Sequence, residues 1–366
     1  MERDLLPLSA GLPADLHVEI EGVYDTLTSS NTDLTRKVPR TVVPDSLGRQ
    51  IESAVEYARA SRAKSTQRAY ASDWTIFTAW CVRHGIAALP TTPDAIAVFA
   101  AAEADAGVNP NTIGRRIAAI AYYHRQAGHT PPNAVAGAGQ LTEVLAGIRA
   151  VHGQPKTKKA AADAAALRDL LKTIKGDGLR AMRDRALLAV GMAGAFRRSE
   201  LVAFAIGDVA LLPEGMEFTI DQSKTDQARE GQKVAIPEGK RIRPKALLLD
   251  WTSAALQAAA HQDDPLVRFD QGPLFRRLTR SDELTADPMS DRAVARLIQR
   301  CAAAAGYDPA KFAGHSLRAG FLTEAANQGA TIFKMQEVSR HKSAQMLLDY
   351  VRSAERFQNH AGDKFL

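Results

Sequence analysis

The chain has little cysteine and no long apolar run. Only two of its 366 residues are cysteines, Cys81 and Cys301. They lie far apart and have no partners at zinc-ligand spacing, so neither a disulfide framework nor a zinc finger is predicted. No apolar stretch approaches the ~18 residues of a membrane span, and the opening residues do not resemble a secretory signal sequence. We therefore expect a protein of the reducing cytoplasm with no membrane partner.

The remaining composition is that of a globular protein. Aromatic residues are scarce at 6%, while apolar residues make up 45% and charged residues 24%, which is ordinary for a folded domain. The length suits two domains of roughly 100–200 residues. The net charge of +6 favours an anionic partner, although many basic proteins bind no polyanion.

Breaks in the hydrophobic pattern divide the chain into four segments. Residues 1–46 carry four prolines and few aromatics, which predicts a flexible arm. Helical periodicity fills residues 47–153 and predicts a helical domain, and its exposed arginines suit a domain that binds DNA. A basic, pattern-free stretch at 154–163 is typical of a linker that runs beside a phosphate backbone. Residues 164–366 form the second domain and a C-terminal tail.

The first domain is predicted from apolar stripes and helix caps. Residues Tyr70, Trp74, Phe77 and Cys81 recur at three- and four-residue steps, as on one face of a helix. Three further helices are predicted, beginning at Thr92-Pro93, at Asn109-Pro110 and near residue 141. In the third helix a buried isoleucine face leaves Arg115 and Arg116 on the outside. Such an arginine pair suits a helix laid across DNA, or a solvated charged face.

The second domain is predicted to be helical with a small sheet. Its predicted helices lie at about 164–175, 179–193, 250–262, 290–305, 315–327, 331–338 and 343–350. Runs of β-branched and aliphatic residues predict strands at 216–220, 233–236 and 246–249. The expected fold class is therefore mainly α with a small antiparallel β-sheet (α+β).

Two pairs of residues at helical spacing carry chemistry that suits a phosphate. His315 and Arg318 stand three apart, as do Arg197 and Glu200, so each pair shares a helix face. Histidine exchanges protons near neutral pH, and arginine forks onto two phosphate oxygens. A carboxylate such as Glu200 can hold an arginine in place for that purpose. Each pair taken alone is more often ordinary surface or capping chemistry.

Three more residues complete a set suited to attack on a phosphodiester. Lys224 lies in a polar turn between two predicted strands, and His341 and Tyr350 bracket an amphipathic helix. A turn lysine is usually just exposed and a late tyrosine is usually a packing residue. As a nucleophile, tyrosine has a pKa near ~10 and needs cations around the phosphate and a proton acceptor.

In combination, these residues resemble the tyrosine recombinase (phage integrase) family. The resemblance lies in an ordered series: Arg197 with Ser199-Glu200-Leu201, Lys224, the run Gly314-His315-Ser316-Leu317-Arg318-Ala319-Gly320, His341-Lys342-Ser343 and Tyr350. The Gly-His-Ser-x-Arg-x-Gly run and a helical first half containing Trp80-Cys81 are most similar to the Cre-type branch. The resemblance covers about 48–366 and is strongest from 180 onward.

The resemblance implies a mechanism without a metal or cofactor. Tyr350 would attack a DNA phosphate to form a 3′-phosphotyrosyl link and release a 5′-hydroxyl. Arg197 and Arg318 would hold the non-bridging oxygens, and His341 would hydrogen-bond the phosphate. His315 would accept or donate a proton, and Lys224 would protonate the leaving oxygen. The implied outcome is site-specific recombination of double-stranded DNA by four protomers on two sites, with a monomer when free.

Two departures from the family pattern accompany the match. Arg340 occupies the position where glycine commonly precedes the second histidine, which allows a different local turn. His341 occupies a position where the Cre-type branch can carry tryptophan. Two alternatives keep or drop the chemistry: a type IB topoisomerase or telomere resolvase with the same tyrosine, or a DNA-binding protein whose tyrosine is inert.

Further DNA contacts are expected from basic residues outside the catalytic set. A nucleoid-associated protein of prokaryotic or mobile-element origin is implied, and any need for accessory proteins is open. The DNA-binding candidates are Lys64, Arg68, Arg115, Arg116, Lys156, Lys158 and Lys159.

Overall fold

The structure, a computed structural model, describes residues 62–154, 159–220, 231–262, 264 and 267–355, together with 50, 53 and 57. It divides into two compact units, Met1–Lys156 and Thr157–Leu366. The predicted arm at 1–46, most of the linker lysines, the turn with Lys224 and the tail beyond residue 355 lie outside the described residues. So does the side chain of Lys64.

The first unit is built from helices with the predicted starts. Its helices are α1 (Lys64–Arg83), α2 (Pro93–Asp105), α3 (Pro110–Gln126) and α4 (Gly139–His152). The Thr92 side chain accepts a hydrogen bond from the Ala95 amide, and the Asn109 side chain caps α3 in the same way. In both helices proline occupies the first turn, where its missing N–H is not needed. The helix predictions for this unit are confirmed.

The core of the first unit is aromatic. Trp74, Phe77 and Cys81 are buried on one face of α1, as the stripe predicted. The Trp74 ring stacks on Tyr123 with centroids 4.7 Å apart, and Phe77 meets Phe99 edge-on at 5.1 Å. Burying each such ring contributes about 1.5–3 kcal/mol, so this packing fixes α1, α2 and α3 against one another.

The second unit combines helices with two small antiparallel sheets. Its helices are α5 (Ala164–Thr173), α6 (Leu179–Ala193), α7 (Arg198–Ala203), α8 (Pro244–Ala260), α9 (Asp291–Ala304), α10 (Ser316–Asn327), α11 (Ile332–Ser339) and α12 (Gln345–Ala354). Strands β1 (Val209–Leu212), β2 (Gly215–Ile220) and β3 (Gln232–Pro237) pair in that order, and β4 (Arg276–Leu278) pairs with β5 (Leu284–Pro288). The predicted fold class, mainly α with small antiparallel sheets, is confirmed.

One predicted strand is wrong. Residues 246–249 lie in the first turns of α8, not in a sheet. Pro244 begins this helix with its fixed φ, and the alanine and leucines that follow are strong helix formers. Leu248 and Trp251 are buried while Leu249 is 38% exposed, the helical pattern that a four-residue apolar run is too short to reveal.

Strands β1, β4 and β5 were not predicted, because short half-exposed strands have weak patterns. None of the described helices is both long and apolar enough to cross a membrane. In the second core the rings of Phe196, Phe204 and Phe218 lie 4.9–5.2 Å apart. This ring cluster sits directly under the turn that carries the candidate site.

Candidate active site

A strained turn after α6 begins the site. Ala195 is buried with φ of 47°, the left-handed region in which a residue other than glycine is strained. The next residue, Phe196, is fully buried in the ring cluster, and Arg197 then returns to extended backbone as the N-cap of α7. The turn directs the carbonyl oxygens of residues 194 and 195 toward the arginines described below.

Glu200 holds two arginines. Its carboxylate accepts hydrogen bonds from the Arg197 backbone N–H at 2.8 Å and from Arg197 Nη1 at 2.5 Å. Arg340 Nη2 donates to the same carboxylate at 2.8 Å. Burial tends to raise the pKa of Glu200, but the charge of Arg340 and the bonds from Arg197 outweigh it and lower the pKa. Glu200 is therefore ionised at neutral pH.

Arg318 lies at the centre of the site on α10. It is 1% exposed, and its Nη1 donates to the Ala195 carbonyl at 2.7 Å. Burial, followed by the charges of Arg197 and Arg340, lowers its pKa to about 9, so it stays protonated at neutral pH. Its buried Nε has no hydrogen-bond partner in the described part of the chain.

Gly320 lets α10 approach the segment that enters the unit. A β-carbon at this position would collide with the carbonyl of Ala162, whose N–H donates to the Ser316 carbonyl at 2.9 Å. The second glycine of the Gly-His-Ser-x-Arg-x-Gly run is therefore required by close packing and not by a turn.

His341 presents one defined ring nitrogen to its surroundings. Arg318 Nη2 lies 3.3 Å from His341 Nδ1, and the Ser339 hydroxyl lies 2.8 Å from it. A guanidinium can only donate, so Nδ1 accepts and the ring proton resides on Nε2. Burial, then the charges of Arg318 and Arg197, lower the pKa of His341 to about 4, which keeps the ring neutral.

His315 precedes the first turn of α10 and remains exposed. The surrounding protein partly desolvates its ring, and Arg318 and Arg197 add like charge, so its pKa is lowered. A neutral imidazole at physiological pH can accept a proton. Arg318 and Arg197 thus lower the pKa of both His315 and His341, so the four side chains form one electrostatic cluster.

Tyr350 reaches the cluster from α12. It is half-buried and packs beside Leu322, Met335 and Leu347. Its oxygen lies close enough to Arg318 that a charge on the phenol would raise the arginine's pKa. The structure therefore brings Arg197, His315, Arg318, His341 and Tyr350 together. By contrast, Arg198 lies 3.3 Å from Asp291 in an exposed ion pair.

Sequence reasoning did not place Arg340 in the site. Arg197, Arg318 and Arg340 carry three positive charges against the single negative charge of Glu200, a balance suited to an anion. The sequence marks Arg340 only as a departure from glycine, and its backbone takes the left-handed conformation, φ 57°, that a glycine would adopt. The local turn is thus kept. No sequence signal links residue 340 to its partner 140 positions earlier.

The expected DNA contacts outside this cluster have mixed surroundings. Arg115 forms a two-pronged ion pair with the buried Asp73, at 2.7 and 2.9 Å, and its side chain is 50% exposed. Arg116 differs from the expected exposed pair: it is 13% exposed and pairs with Glu103, because α2 supplies a carboxylate beside it. Arg68 is exposed.

In the second unit Lys159 donates to the Ala310 carbonyl at 2.7 Å. Lys224 lies in the connection from β2 to β3, outside the described residues. Among the described residues no cluster of histidine, cysteine and carboxylate side chains is arranged to hold a metal.

Comparison with known proteins identifies the class to which this fold and cluster belong. The "Phage integrase family" model matches residues 162–356. A relative described as "Integrase/recombinase xerD homolog" from Selenomonas ruminantium is 33% identical over 303 residues, 82% of this chain and 85% of the relative. The chain belongs to the phage integrase family of tyrosine recombinases and is a site-specific DNA recombinase.

Solved structures of low sequence identity share the fold. The Tn1549 transposon integrase with transposon right end DNA has a TM-score of 0.53 at 15% identity, over 90% of this chain and 96% of that one. XerH recombinase bound to palindromic difH substrate has a TM-score of 0.52 at 14% identity, over 73% and 70% of the two chains.

Proposed function

We propose that Tyr350 is the nucleophile of this recombinase and that it cuts one DNA strand at a time through a 3′-phosphotyrosyl intermediate. The observation that carries the proposal is the packing of Tyr350 against the helix of Arg318, together with the contact of Arg318 with His341 and its bond to the Ala195 carbonyl beside Arg197. A phenol with a pKa near ~10 becomes a useful nucleophile only beside such cations and a proton acceptor.

The proposed step conserves atoms and charge. A bond forms between the Tyr350 oxygen and the scissile phosphorus while the bond from phosphorus to the 5′-oxygen breaks. The phenol proton passes to His315, and the leaving 5′-oxygen takes a proton from Lys224. The energy of the broken bond is kept in the protein–DNA link, so a 5′-hydroxyl of another strand reverses the step without ATP.

In this proposal three groups stabilise the phosphate as charge builds on it. Arg197, oriented by Glu200, and Arg318, anchored on the Ala195 carbonyl, would hold the non-bridging oxygens. The Nε2–H of His341 would donate a further hydrogen bond. Donors fixed before the reaction need not reorganise during it, which is the main source of such stabilisation.

The partner in this proposal is double-stranded DNA, bound by four protomers on two sites, with a free protein that is monomeric. Two structural neighbours support the choice of partner: XerH is bound to its palindromic difH substrate, and the Tn1549 integrase is in complex with transposon right end DNA. The basic residues Arg68, Arg115 and Lys159 would contact the phosphate backbone, and Lys64, Lys156 and Lys158 are added to them from the sequence.

Covalent capture tests the nucleophile and finds the target together. The protein is incubated with fragmented DNA of its source, denatured in detergent, and the protein-linked DNA is recovered and sequenced. Tyr350→Phe is the test variant. Tyr307→Phe is the matched control, since Tyr307 is half-buried in the same unit and hydrogen-bonds Asp169 at 3.0 Å.

Site-enriched fragments linked to wild type and to Tyr307→Phe, and absent with Tyr350→Phe, are the expected result. Equal recovery with Tyr350→Phe would remove Tyr350 from its role. Recovery with none of the three proteins would favour a protein that only binds DNA. Linked fragments of random sequence, together with relaxation of supercoiled plasmid, would favour the topoisomerase reading.

A further inference from the structure

Arg340 is held in a backbone conformation that disfavours it. It ends α11 in the left-handed region, with φ 57° and ψ 40°. A side chain with a β-carbon is strained there, and glycine is not. An arginine at such a position is therefore expected to contribute something that its side chain alone supplies.

The side chain of Arg340 is almost completely buried beneath the site. Its side chain is 3% exposed. The guanidinium donates to Glu200 at 2.8 Å, to the Val338 carbonyl at 2.7 Å and to the carbonyls of residues 194 and 195 at 3.2 and 3.3 Å. Its carbon lies 5.0 Å from the centre of the Phe196 ring, within range of a cation–π interaction.

These contacts place Arg340 behind both proposed phosphate-binding arginines. The carboxylate that it holds is the one that orients Arg197. The Ala195 carbonyl to which it donates is also the anchor of Arg318. Arg340 thus shares one hydrogen-bond partner with Arg197 and another with Arg318.

We infer that Arg340 is a positioning residue, a third arginine that fixes Glu200 and the Ala195 carbonyl so that Arg197 and Arg318 are aligned before DNA binds. This inference rests on the proposed roles of Arg197 and Arg318. It extends them by assigning their alignment to a residue that occupies a glycine-like position. A role in stability alone would leave the two other guanidiniums as they are.

Arginine side-chain NMR tests this alignment without DNA. Protein labelled with ¹⁵N-arginine is recorded from pH 8 to about 3, because the folded state lowers the pKa of Glu200. The signals of Arg197 and Arg318 are assigned by single Arg→Lys changes. The test variants are Arg340→Gly and Arg340→Asn, because both residues tolerate the left-handed backbone. Arg340→Lys keeps the charge and loses the fork.

The matched control is Arg183→Met. Arg183 is 5% exposed in the same unit, and it pairs with Asp184 at 2.7 Å and donates to the Arg276 carbonyl at 3.0 Å. Its loss removes a buried arginine–carboxylate pair of the same kind away from the Glu200 cluster. It therefore measures what a purely structural arginine does to every readout.

The expected result separates the two kinds of arginine. In Arg340→Gly and Arg340→Asn the Arg197 and Arg318 Nε–H signals broaden or shift. Both signals also report the protonation of Glu200, which holds Arg197. The midpoint of that protonation moves upward by at least about one pH unit, because the charge of Arg340 that lowers the pKa of Glu200 is gone. In Arg340→Lys the midpoint lies close to the wild-type value, because lysine keeps the positive charge beside Glu200. In Arg183→Met the signals and the midpoint match wild type.

Covalent capture then gives the functional measure. The fragments recovered with wild type are used as substrate, and the rate of capture at saturating protein is expected to fall about 10- to 100-fold in Arg340→Gly, with a smaller loss in Arg340→Lys. Affinity for the fragment is expected to stay within about threefold of wild type, because Arg340 is buried below the surface that DNA reaches.

Unchanged Arg197 and Arg318 signals in both Arg340→Gly and Arg340→Asn would overturn the inference. So would capture rates in these variants that match Arg183→Met. A wild-type protein that captures no DNA would count against the proposed function, while the NMR comparison would still decide whether Arg340 aligns the other two arginines.

Discussion

Replacing Glu200 by glutamine is expected to destabilise the second unit by about 3 kcal/mol. The carboxylate is 4% exposed and faces Arg340, which is 3% exposed, so the change leaves a buried guanidinium without its counter-charge. Removing one partner of a buried pair costs about 3–5 kcal/mol. The lower end applies because glutamine keeps one acceptor oxygen, and because Arg197, at 21% exposure, can turn toward water.

The loss should depend on pH in a defined direction. The folded state lowers the pKa of Glu200, so its stabilisation is fully present above the unfolded value of ~4.3 and is lost as pH falls through the folded pKa. The difference in unfolding free energy between wild type and Glu200→Gln should therefore be constant from pH 8 to 5 and shrink below about pH 4.3.

Urea unfolding followed by ¹⁹F NMR measures this difference in the full chain. The three tryptophans, labelled as 5-fluorotryptophan, report separately, and Trp251 lies in the core of the second unit. The control is Glu238→Gln. Glu238 is 39% exposed and forms a long ion pair with Lys245, at 4.0 Å. Such an exposed pair contributes under ~1 kcal/mol.

The double variant Glu200→Gln/Arg340→Met supplies the sharper comparison. It removes both charges of the buried pair, so it should be less destabilised than Glu200→Gln alone. A loss below about 1 kcal/mol for Glu200→Gln, a difference that grows as the pH falls, or simple additivity in the double variant would each refute the reasoning.

Two further predictions concern packing and acid sensitivity. Gly320→Ala should destabilise the second unit by about 1–3 kcal/mol, because its methyl group would meet the Ala162 carbonyl. Gly147→Ala, with open space at that position, should instead raise the free energy of unfolding by up to about 1 kcal/mol. Thermal unfolding of the two variants measures both changes. His124 is buried, accepts the Thr91 N–H at 3.0 Å, and has a pKa lowered first by burial. Below pH ~6.5 the histidine of the unfolded chain takes up a proton while the buried ring stays neutral, so stability falls with pH. The first unit should therefore unfold more easily at pH 5 than at pH 7 in urea. Equal midpoints at the two pH values would contradict this.

The helix boundaries could be predicted because their signals are local. Thr92, Asn109 and Ser290 lie at helix starts and cap them through side-chain bonds, as residues of these types do. The strand predicted at 246–249 failed for another reason. A short apolar run fits either structure, and here the proline at the start of α8, the helix-forming alanine and leucines, and packing against α6 together favour the helix.

The candidate site divides in the same way. The ordered series from Arg197 to Tyr350 is visible because the spacing within each short motif is fixed by its helix. The place of Arg340 is not visible, since its partners are Glu200 and the carbonyls of the turn at 194–195. A departure from glycine marks a position that needs left-handed backbone, but it does not say what the new side chain binds.

The strained turn at Ala195 and the strained end of α11 stabilise each other through hydrogen bonds. Ala195 and Arg340 are both left-handed, at about 1–2 kcal/mol each, and the Ala195 carbonyl accepts from Arg318 and from Arg340. Hydrogen bonds to charged groups contribute about 1.5–3 kcal/mol each, enough to offset both strained residues. Because one oxygen carries two guanidiniums, a displaced turn would move both together. The backbone strain at Ala195 and Arg340 therefore accompanies the arrangement that holds Arg318 and Arg340 on one carbonyl oxygen. This arrangement is present in the protein without DNA.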